Sequence, residues 1–170
     1  LYHDHNVTDF YLIQPTNAPE AFLALCNMKS SGGGWTTILN RYDGSESFFM
    51  NWTNYKHGFG HLAGEFWLGL EKMYYLTSTV VFLCGYKTND FFCRIWNKRI
   101  AFWTSRLGQQ TSRGSLWLLC HSSEEEGYTL KLLRGFSGSA GDGLINQAGM
   151  KFSTIDKDQD VATEHCAATA

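Results

Sequence analysis

Three aspartates occur at every second position near the carboxyl-terminal end of this 170-residue sequence: Asp156, Asp158 and Asp160. Such an alternating acidic run is too polar to bury without a counter-ion. A turning loop could aim two of these carboxylates, together with backbone carbonyls, at one hard cation such as calcium. The alternative is an acidic loop that is simply solvated. The segment is therefore the candidate metal site of the sequence.

Other residue patterns that could carry chemistry are incomplete. His57 and His61 are four apart, but the glutamate of a helical zinc motif is missing, and Gly58 and Gly60 disfavour a helix there. The sequence contains neither a GxSxG motif nor a papain-like cysteine motif. Its glycine runs are not followed by the Lys-Ser or Lys-Thr of a phosphate-binding loop. We therefore predict a protein that is not an enzyme.

The Asn-x-Thr tripeptides favour an extracellular location, and the number of cysteines is odd. No two cysteines form a CxxC pair, and an odd number of them cannot all pair internally; they are Cys26, Cys84, Cys93, Cys120 and Cys166. The tripeptides beginning at Asn6 and Asn51 have the form of N-glycosylation acceptors. We expect a secreted protein with glycans at these two asparagines.

Composition excludes several classes of partner. Fourteen basic and 16 acidic side chains give a net charge of -2, and no basic block could neutralise a run of phosphates. Nucleic acid is therefore not expected as a partner. The apolar runs are far shorter than the roughly 20 residues that cross a bilayer, so no membrane span is predicted. A hydrophobic fraction of 44% is sufficient for the core of a single domain.

Hydrophobic patterning predicts several short strands. Apolar runs at Tyr11–Ile13 and Phe22–Cys26 flank a turn that contains both prolines, and a third run follows at Trp35–Leu39. These three runs predict a small antiparallel sheet. Tyr128–Leu133 is expected to form a further strand, and Gly135–Gly143, with four glycines, a loop.

The middle of the sequence combines aromatic residues, glycines and one helical pattern. From Phe48 to Gly69 aromatic residues and glycines are interspersed, which predicts a loop-rich core in which rings supply buried area. A helix is predicted from Leu70 by the spacing i, i+3, i+4, i+7 of four residues: Leu70, Met73, Tyr74 and Thr77.

Five segments, in their order and spacing, resemble the fibrinogen C-terminal domain family: Gly32–Ile38, Asn51–Ser78, Ser123–Leu132, Ser137–Leu144 and Gly149–Asp160. Within the family, Tyr11–Pro19 and Lys157–Asp160 are similar to the microfibril-associated glycoprotein and ficolin branch. The resemblance implies an α+β fold in one partial domain, 1–170. Its parts are an amino-terminal sheet subdomain (1–40), a central twisted antiparallel sheet with short helices (41–145), and a loop-rich, truncated calcium and ligand subdomain (146–170).

The resemblance also implies a calcium site and a class of ligand. The family's side-chain ligands map onto Asp158 and Asp160, its carbonyl ligands onto Ala162 and Glu164, and Asp156 would support them. Family members bind glycans or acetylated groups and occur as lectins and matrix proteins, in several cases as oligomers. An alternative is a structural or receptor-binding domain whose partner is another protein. No ligand-binding residues are assigned, because the family's pocket lies mostly beyond its second cysteine pair.

Two family disulfides would be incomplete in this chain. The resemblance pairs Cys26 with an upstream cysteine and Cys166 with a downstream one, and both partners fall outside the sequence. The loss of each bond would cost about 2–4 kcal/mol relative to the complete domain.

The segment 79–122 matches nothing in the family. We consider the hypothesis that it is translated from retained non-coding sequence and then from the wrong reading frame. The chain would then be a non-functional, truncated or mispredicted gene product. On this hypothesis the central sheet would lack proper strands.

Overall fold

The computed structural model describes residues 7–29, 34–78, 99–104, 112–138 and 144–169, with the backbone alone over 99–104, 112–120, 132–138, 145 and 169. The strands are β1 (Asp9–Ile13), β2 (Phe22–Asn27), β3 (Trp35–Thr36), β4 (Leu39–Asn40), β5 (Phe59–Gly60), β6 (Phe66–Trp67), β7 (Arg99–Thr104), β8 (Ser112–His121) and β9 (Leu130–Gly138). The α-helices are α1 (Trp52–His57), α2 (Leu70–Ser78) and α3 (Cys166–Thr169), and 3-10 helices cover Glu124–Glu126 and Ile145–Gln147. Within these described ranges no helix is long and apolar enough to cross a membrane.

The first sheet is antiparallel with the order β1-β2-β3. The β1–β2 hairpin runs in register from Asp9 opposite Cys26 to Ile13 opposite Phe22. Its inward residues, including Ile13 and Ala24, join a core cluster with Phe66 and residues of the following elements. Burial of these side chains gives the hairpin the apolar support that a two-stranded unit in water lacks. The amino-terminal sheet predicted from the apolar runs is confirmed.

The run Trp35–Leu39 is divided between two sheets. Trp35–Thr36 pairs with β2, whereas Leu39–Asn40 pairs with β6 in a second antiparallel sheet of order β4-β6-β5. Thr37 N–H donates to the carbonyl of Leu25, and Ile38 accepts from Leu68. The prediction of one continuous strand here is therefore wrong, because the chain passes from one sheet to the next at Thr37 and Ile38.

The predicted helix is observed as α2, and it buries Leu70, Met73, Leu76 and Thr77. Helix α1 was not predicted, because its six residues lie within the stretch expected to be loop-rich core. Asn51 caps it by accepting from the N–H of Asn54, and it ends at Gly58 with φ 97°. A Cβ at Gly58 would lie 2.4 Å from the carbonyl oxygen of Leu68, so glycine is required by both backbone conformation and space.

The third sheet is antiparallel with the order β7-β8-β9. Strands β7 and β8 lie inside the segment 79–122, so the observed sheet differs from the expectation that this segment lacks proper strands. Strand β9 begins at Leu130 because Tyr128 adopts φ 48° and donates its N–H to Ser123 in a turn. Pairing with β8 then continues to Gly138, so the loop expected over Gly135–Gly143 is wrong for 135–138, which belong to β9. The rest of 79–122, and the residues 139–143, lie outside the described ranges.

Cys26 lies on the inward side of β2, is fully buried, and is disulfide-bonded in the structure. Because the structure contains this chain alone, the bond is internal to it. This corrects the expectation that the partner of Cys26 falls outside the sequence.

Glu65 is a buried carboxylate that holds the loop before α1. Its Oε1 accepts from the N–H groups of Tyr42, Asp43 and Gly44, and its Oε2 accepts from Glu46 at 3.1 Å. Burial alone would raise the pKa of Glu65, but these four donors outweigh it and lower the pKa to about 2. The loop that precedes α1 is therefore closed around one charged side chain.

Candidate functional site

The loop from Asp158 to Cys166 turns around the carboxylate of Asp160. Its Oδ1 accepts from the N–H of Ala162 at 2.9 Å, and its Oδ2 accepts from the N–H of Cys166 at 3.1 Å. The hydrogen bond from Ala162 is the largest cause that lowers the pKa of Asp160. The side chain is therefore held as a carboxylate in the middle of the loop.

The other predicted ligands lie on the same turn. Asp158 Oδ1 accepts from the N–H of Asp160 at 3.2 Å. The carbonyl of Glu164 faces the sulfur of Cys166 at 3.6 Å. Hydrogen bonds thus join Asp158, Asp160 and Ala162 directly, whereas Glu164 contacts Cys166 rather than either aspartate.

Cys166 carries a thiol on the exposed side of this loop. The negative charge of Asp160 is the first cause that raises the pKa of the thiol. The pairing of Cys166 with a downstream cysteine stays a prediction.

Asp156 points away from this turn and contacts helix α1. Its Oδ1 accepts from the backbone N–H of Trp52 at 2.7 Å and from the hydroxyl of Thr154 at 2.8 Å. The Thr154 hydrogen bond is the largest cause that lowers the pKa of Asp156. Asp156 therefore fastens the loop to α1, and its supporting role beside a metal stays a prediction.

Trp52 is the residue on which these contacts converge. Its indole N–H donates to Glu124 at 2.8 Å, and Lys56 forms an ion pair with the same carboxylate. The Nζ of Lys157 lies 3.6 Å from the centre of a Trp52 ring, a cation–π geometry, while Tyr128 packs beside it with ring centroids 5.6 Å apart.

The sequence indicated that Trp52 is buried, and it is 9% exposed. Its connection to Glu124 and Lys157 was missed, because residues 72 and 105 positions away in the chain leave no periodic signal. Trp67 likewise lies in the core: it stacks on Phe152, and its N–H donates to the carbonyl of Tyr55. Neither tryptophan presents the open platform that sugar stacking would use.

The two histidines considered for zinc are not brought together as ligands. The carbonyl of His57 accepts from Lys72, and His61 Nδ1 accepts from the N–H of Ala63. Among the residues that the structure describes, no group of three or more histidines, cysteines, aspartates or glutamates could hold a metal ion. A zinc site of the usual kind is therefore not assembled in these ranges.

The predicted calcium ligands nevertheless suit a hard cation in their donor chemistry. Asp158 and Asp160 supply carboxylate oxygens, which have room for further contacts beyond one N–H each. Ala162 and Glu164 supply backbone carbonyls on the same turn, and calcium accepts both kinds of oxygen in an irregular geometry. Four such donors are fewer than the six to eight that calcium takes, so water would complete the shell.

Known proteins resemble this chain over most of its length. The chain is 37% identical over 158 residues to human Fibrinogen C domain-containing protein 1, which covers 93% of this chain and 32% of that protein. Human Microfibril-associated glycoprotein 4 is also 37% identical, over 93% of this chain and 58% of its own length. The chain therefore spans about a third to three-fifths of these two curated relatives.

Solved structures share the fold. The fibrinogen-like globe domain of human ANGPTL2 matches with a TM-score of 0.83 and 33% identity, over 97% of this chain and 68% of that one. A lamprey fibrin D-dimer complexed with the peptide Gly-His-Arg-Pro-amide matches with a TM-score of 0.72 and 25% identity, over 95% of this chain and 50% of that one.

The family model that describes the C-terminal globular domain of fibrinogen beta and gamma chains matches residues 2–95, more than half of the sequence. Together with the shared α+β fold, this match confirms the resemblance drawn from the sequence motifs. The chain belongs to the fibrinogen C-terminal domain family.

Proposed function

We propose that this chain is the recognition domain of an extracellular protein, that it has no catalytic activity, and that calcium stabilises it. The observation that carries the proposal is the closed turn around Asp160, in which two backbone N–H groups fix the carboxylate. A fixed carboxylate beside a second one, Asp158, loses little freedom when a cation binds. Preorganisation of this kind favours affinity.

In this proposal Asp158 and Asp160 hold calcium through their carboxylates, and Ala162 and Glu164 hold it through their carbonyls. The ion supplies positive charge that offsets the repulsion between neighbouring carboxylates. Its effect would extend beyond the loop, because Asp156 fastens the adjacent residues to Trp52 at the start of α1. Calcium would therefore order a surface that includes the loop and the amino-terminal end of that helix.

The proposed ligands are glycans or acetylated groups, as the resemblance to lectin-like members implies. Trp52 and Trp67 pack inward and offer no surface for stacking on a sugar. The glycan assignment therefore rests on the family resemblance. A protein partner is the second candidate. It is favoured by one observation, the peptide bound to the lamprey fibrin relative.

The ligand proposal is tested by binding to two immobilised probes, N-acetylglucosamine and the peptide Gly-His-Arg-Pro-amide, each in millimolar calcium and in EDTA. We expect retention on the acetylated sugar in calcium, its loss in EDTA, and its loss in Asp160→Asn. Glu125→Gln is the matched control, since Glu125 is an exposed carboxylate outside the loop. Retention on the peptide alone would favour the second candidate, and retention on neither probe would overturn both.

A further inference from the structure

Exposed and inward side chains alternate from Ser47, which precedes α1, to Thr53 in the first turn of that helix. The inward set comprises Phe48, Met50 and Trp52, and the exposed set comprises Ser47, Phe49, Asn51 and Thr53. The acceptor Asn51, the threonine of its tripeptide and an aromatic ring two positions before it are therefore all on the solvent side.

The inward side chains fix this orientation. The Phe48 ring packs edge-on against Phe59 at 5.0 Å, and the Arg41 guanidinium lies 4.5 Å from the centre of the Phe48 ring. Trp52 is held by Glu124 and Asp156. Reversing the alternation would expose these rings and break those hydrogen bonds, so Phe49 stays outside, where 59% of it is exposed.

Among the contacts of the described residues, Asn51 uses one of its two polar side-chain atoms, the oxygen. Its Oδ1 accepts from the N–H of Asn54 at 3.0 Å and caps α1. The Nδ2 atom, to which an N-linked sugar attaches, is not the atom that the cap requires. A glycan and the cap are therefore compatible on the same residue.

We propose that Asn51 carries an N-linked glycan whose first sugar covers the exposed ring of Phe49 and thereby stabilises the folded domain. The inference rests on the proposed extracellular location, since the modification takes place in the secretory pathway. The tripeptide indicates only glycosylation, whereas the proposal adds a contact between the sugar and Phe49 and a stabilising effect on the folded domain. The C–H face of a sugar ring is apolar, so covering Phe49 removes apolar surface from water.

The covalent step needs a donor of known class, an oligosaccharide linked to a lipid pyrophosphate. A bond forms between Asn51 Nδ2 and the first sugar carbon, and the bond from that carbon to the pyrophosphate oxygen breaks. The amide loses one proton, and the lipid pyrophosphate leaves with the electron pair. The hydroxyl of Thr53 is the part of the tripeptide that the transfer machinery of the cell reads.

Occupancy is tested by expressing the chain behind a secretion signal in mammalian cells and analysing the peptide that contains Asn51 by mass spectrometry. Release of the glycan with peptide N-glycosidase F in heavy-oxygen water converts a glycosylated asparagine to labelled aspartate. We expect label at Asn51 in the wild type and in Thr53→Ser, and none in Thr53→Ala. Asn51→Asp, which keeps a capping oxygen, provides a second form that cannot be glycosylated. An unlabelled Asn51 in secreted wild-type protein would overturn the proposal without bearing on calcium or ligand binding.

The contact with Phe49 is tested by comparing melting temperatures of glycosylated and enzymatically deglycosylated protein. We expect the glycan to raise the melting temperature by about 2–4 °C in the wild type and to leave it unchanged in Phe49→Ala. Leu12→Ala is the control, because Leu12 is a comparably exposed apolar residue, 64% exposed, on the distant strand β1. An equal increase in wild type and Phe49→Ala, or no increase in either, would show that the sugar does not cover this ring.

Discussion

Glu65 and Asp160 both hold a loop by accepting hydrogen bonds from backbone N–H groups. Glu65 is buried and closes the segment Tyr42–Glu46, whereas Asp160 lies nearer the surface and closes the turn that follows it. A cation can reach the second carboxylate, but the first is already surrounded by donors from the chain. Two acidic residues of similar chemistry thus have different roles because their surroundings differ.

Glu65→Gln is expected to destabilise the domain at neutral pH, since the amide replaces one accepting oxygen with a donor that faces backbone N–H groups. In the wild type the pKa of Glu65 is lowered to about 2, against about 4.3 in an unfolded chain. Its stabilising contribution is therefore complete above about pH 4.3 and is lost as the pH falls towards 2. Urea unfolding across this range should show that the difference in free energy of unfolding between the wild type and Glu65→Gln becomes smaller as the pH falls. A difference that stays constant with pH, or the same pH dependence in a Glu125→Gln control, would contradict this explanation.

Residue identities at the proposed calcium site could be predicted only through the family resemblance. The alternating aspartates suggested a cation, but spacing alone could not separate Asp156, which contacts Trp52, from Asp158 and Asp160, which share a turn. The surroundings of Glu65 could not be predicted either. Its hydrogen bonds join residues about 20 positions apart, and they depend on the completed fold.

At the scale of elements, glycine decides how closely β5, β6 and α2 approach one another. Gly58 at the end of α1 has φ 97° and lies against the backbone of Leu68, whereas Gly44 has φ 79° in open space with no atom within 4 Å of an added Cβ. The two positions therefore share a left-handed backbone but differ in their surroundings. They form a matched pair for separating backbone strain from steric overlap.

Gly44→Ala is expected to cost about 1–2 kcal/mol, the usual penalty for an alanine in the left-handed conformation. Gly58→Ala should cost clearly more, or prevent folding, because its Cβ would overlap the carbonyl of Leu68. Chemical denaturation of both variants measures the difference. Equal costs at the two positions would mean that the backbone at Gly58 moves freely away from β6.

Helix α1 is joined to the Glu124–Glu126 turn through the indole of Trp52. Replacing Trp52 with Phe removes the donor while keeping an aromatic ring, and Glu124→Gln removes the charge of the acceptor. A double-mutant cycle with these two changes should give a coupling free energy of about 1 kcal/mol or more, as for a hydrogen bond to a charged group. Lys131 pairs with Glu126 on the exposed surface, and Lys131→Ala serves as the control. The changes in free energy of unfolding caused by Trp52→Phe and Lys131→Ala should add. A coupling near zero for Trp52 and Glu124 would contradict the proposed link.

Elements with strong local patterns were predictable, and those set by long-range contacts were not. The β1–β2 hairpin and helix α2 are close to their predicted bounds because apolar periodicity and the prolines between the strands define them. Helix α1 has six residues, too few for a periodic signal, although Asn51 is a good capping residue. Strand β4 was misjudged because pairing partners, rather than composition, decide which sheet a short run joins.

On the scale of the whole molecule, the described strands form three antiparallel sheets. One core cluster joins the first sheet to Phe66 of the second, and an aromatic cluster around Trp52 and Tyr128 includes Trp67 of the second. The family resemblance predicted the α+β class and the amino-terminal sheet. It also implied a central twisted antiparallel sheet but did not identify the strands β7 and β8, because none of the five motif segments falls between 79 and 122. Their identification depends on the backbone pairing of β7 with β8 and of β8 with β9, which a linear pattern does not encode.

The proposed calcium ion would act on this whole assembly, since its loop is fastened to α1 and α1 is fastened to the Glu124 turn. A ligand that binds only the folded state adds about 2.7 kcal/mol at a hundredfold excess over its dissociation constant. For a domain of this size that corresponds to an increase in melting temperature of about 5–10 °C. The shift should be smaller in magnesium, which requires a more regular octahedral site.

The most direct measurement is therefore the melting temperature of the wild type and of the double variant Asp158→Asn, Asp160→Asn, each in EDTA and in millimolar calcium. We expect an increase of about 5–10 °C in calcium for the wild type and for a Glu125→Gln control, and none for the double variant. The same melting temperature with and without calcium in the wild type, or an equal increase in the double variant, would rule out a calcium site at these two aspartates.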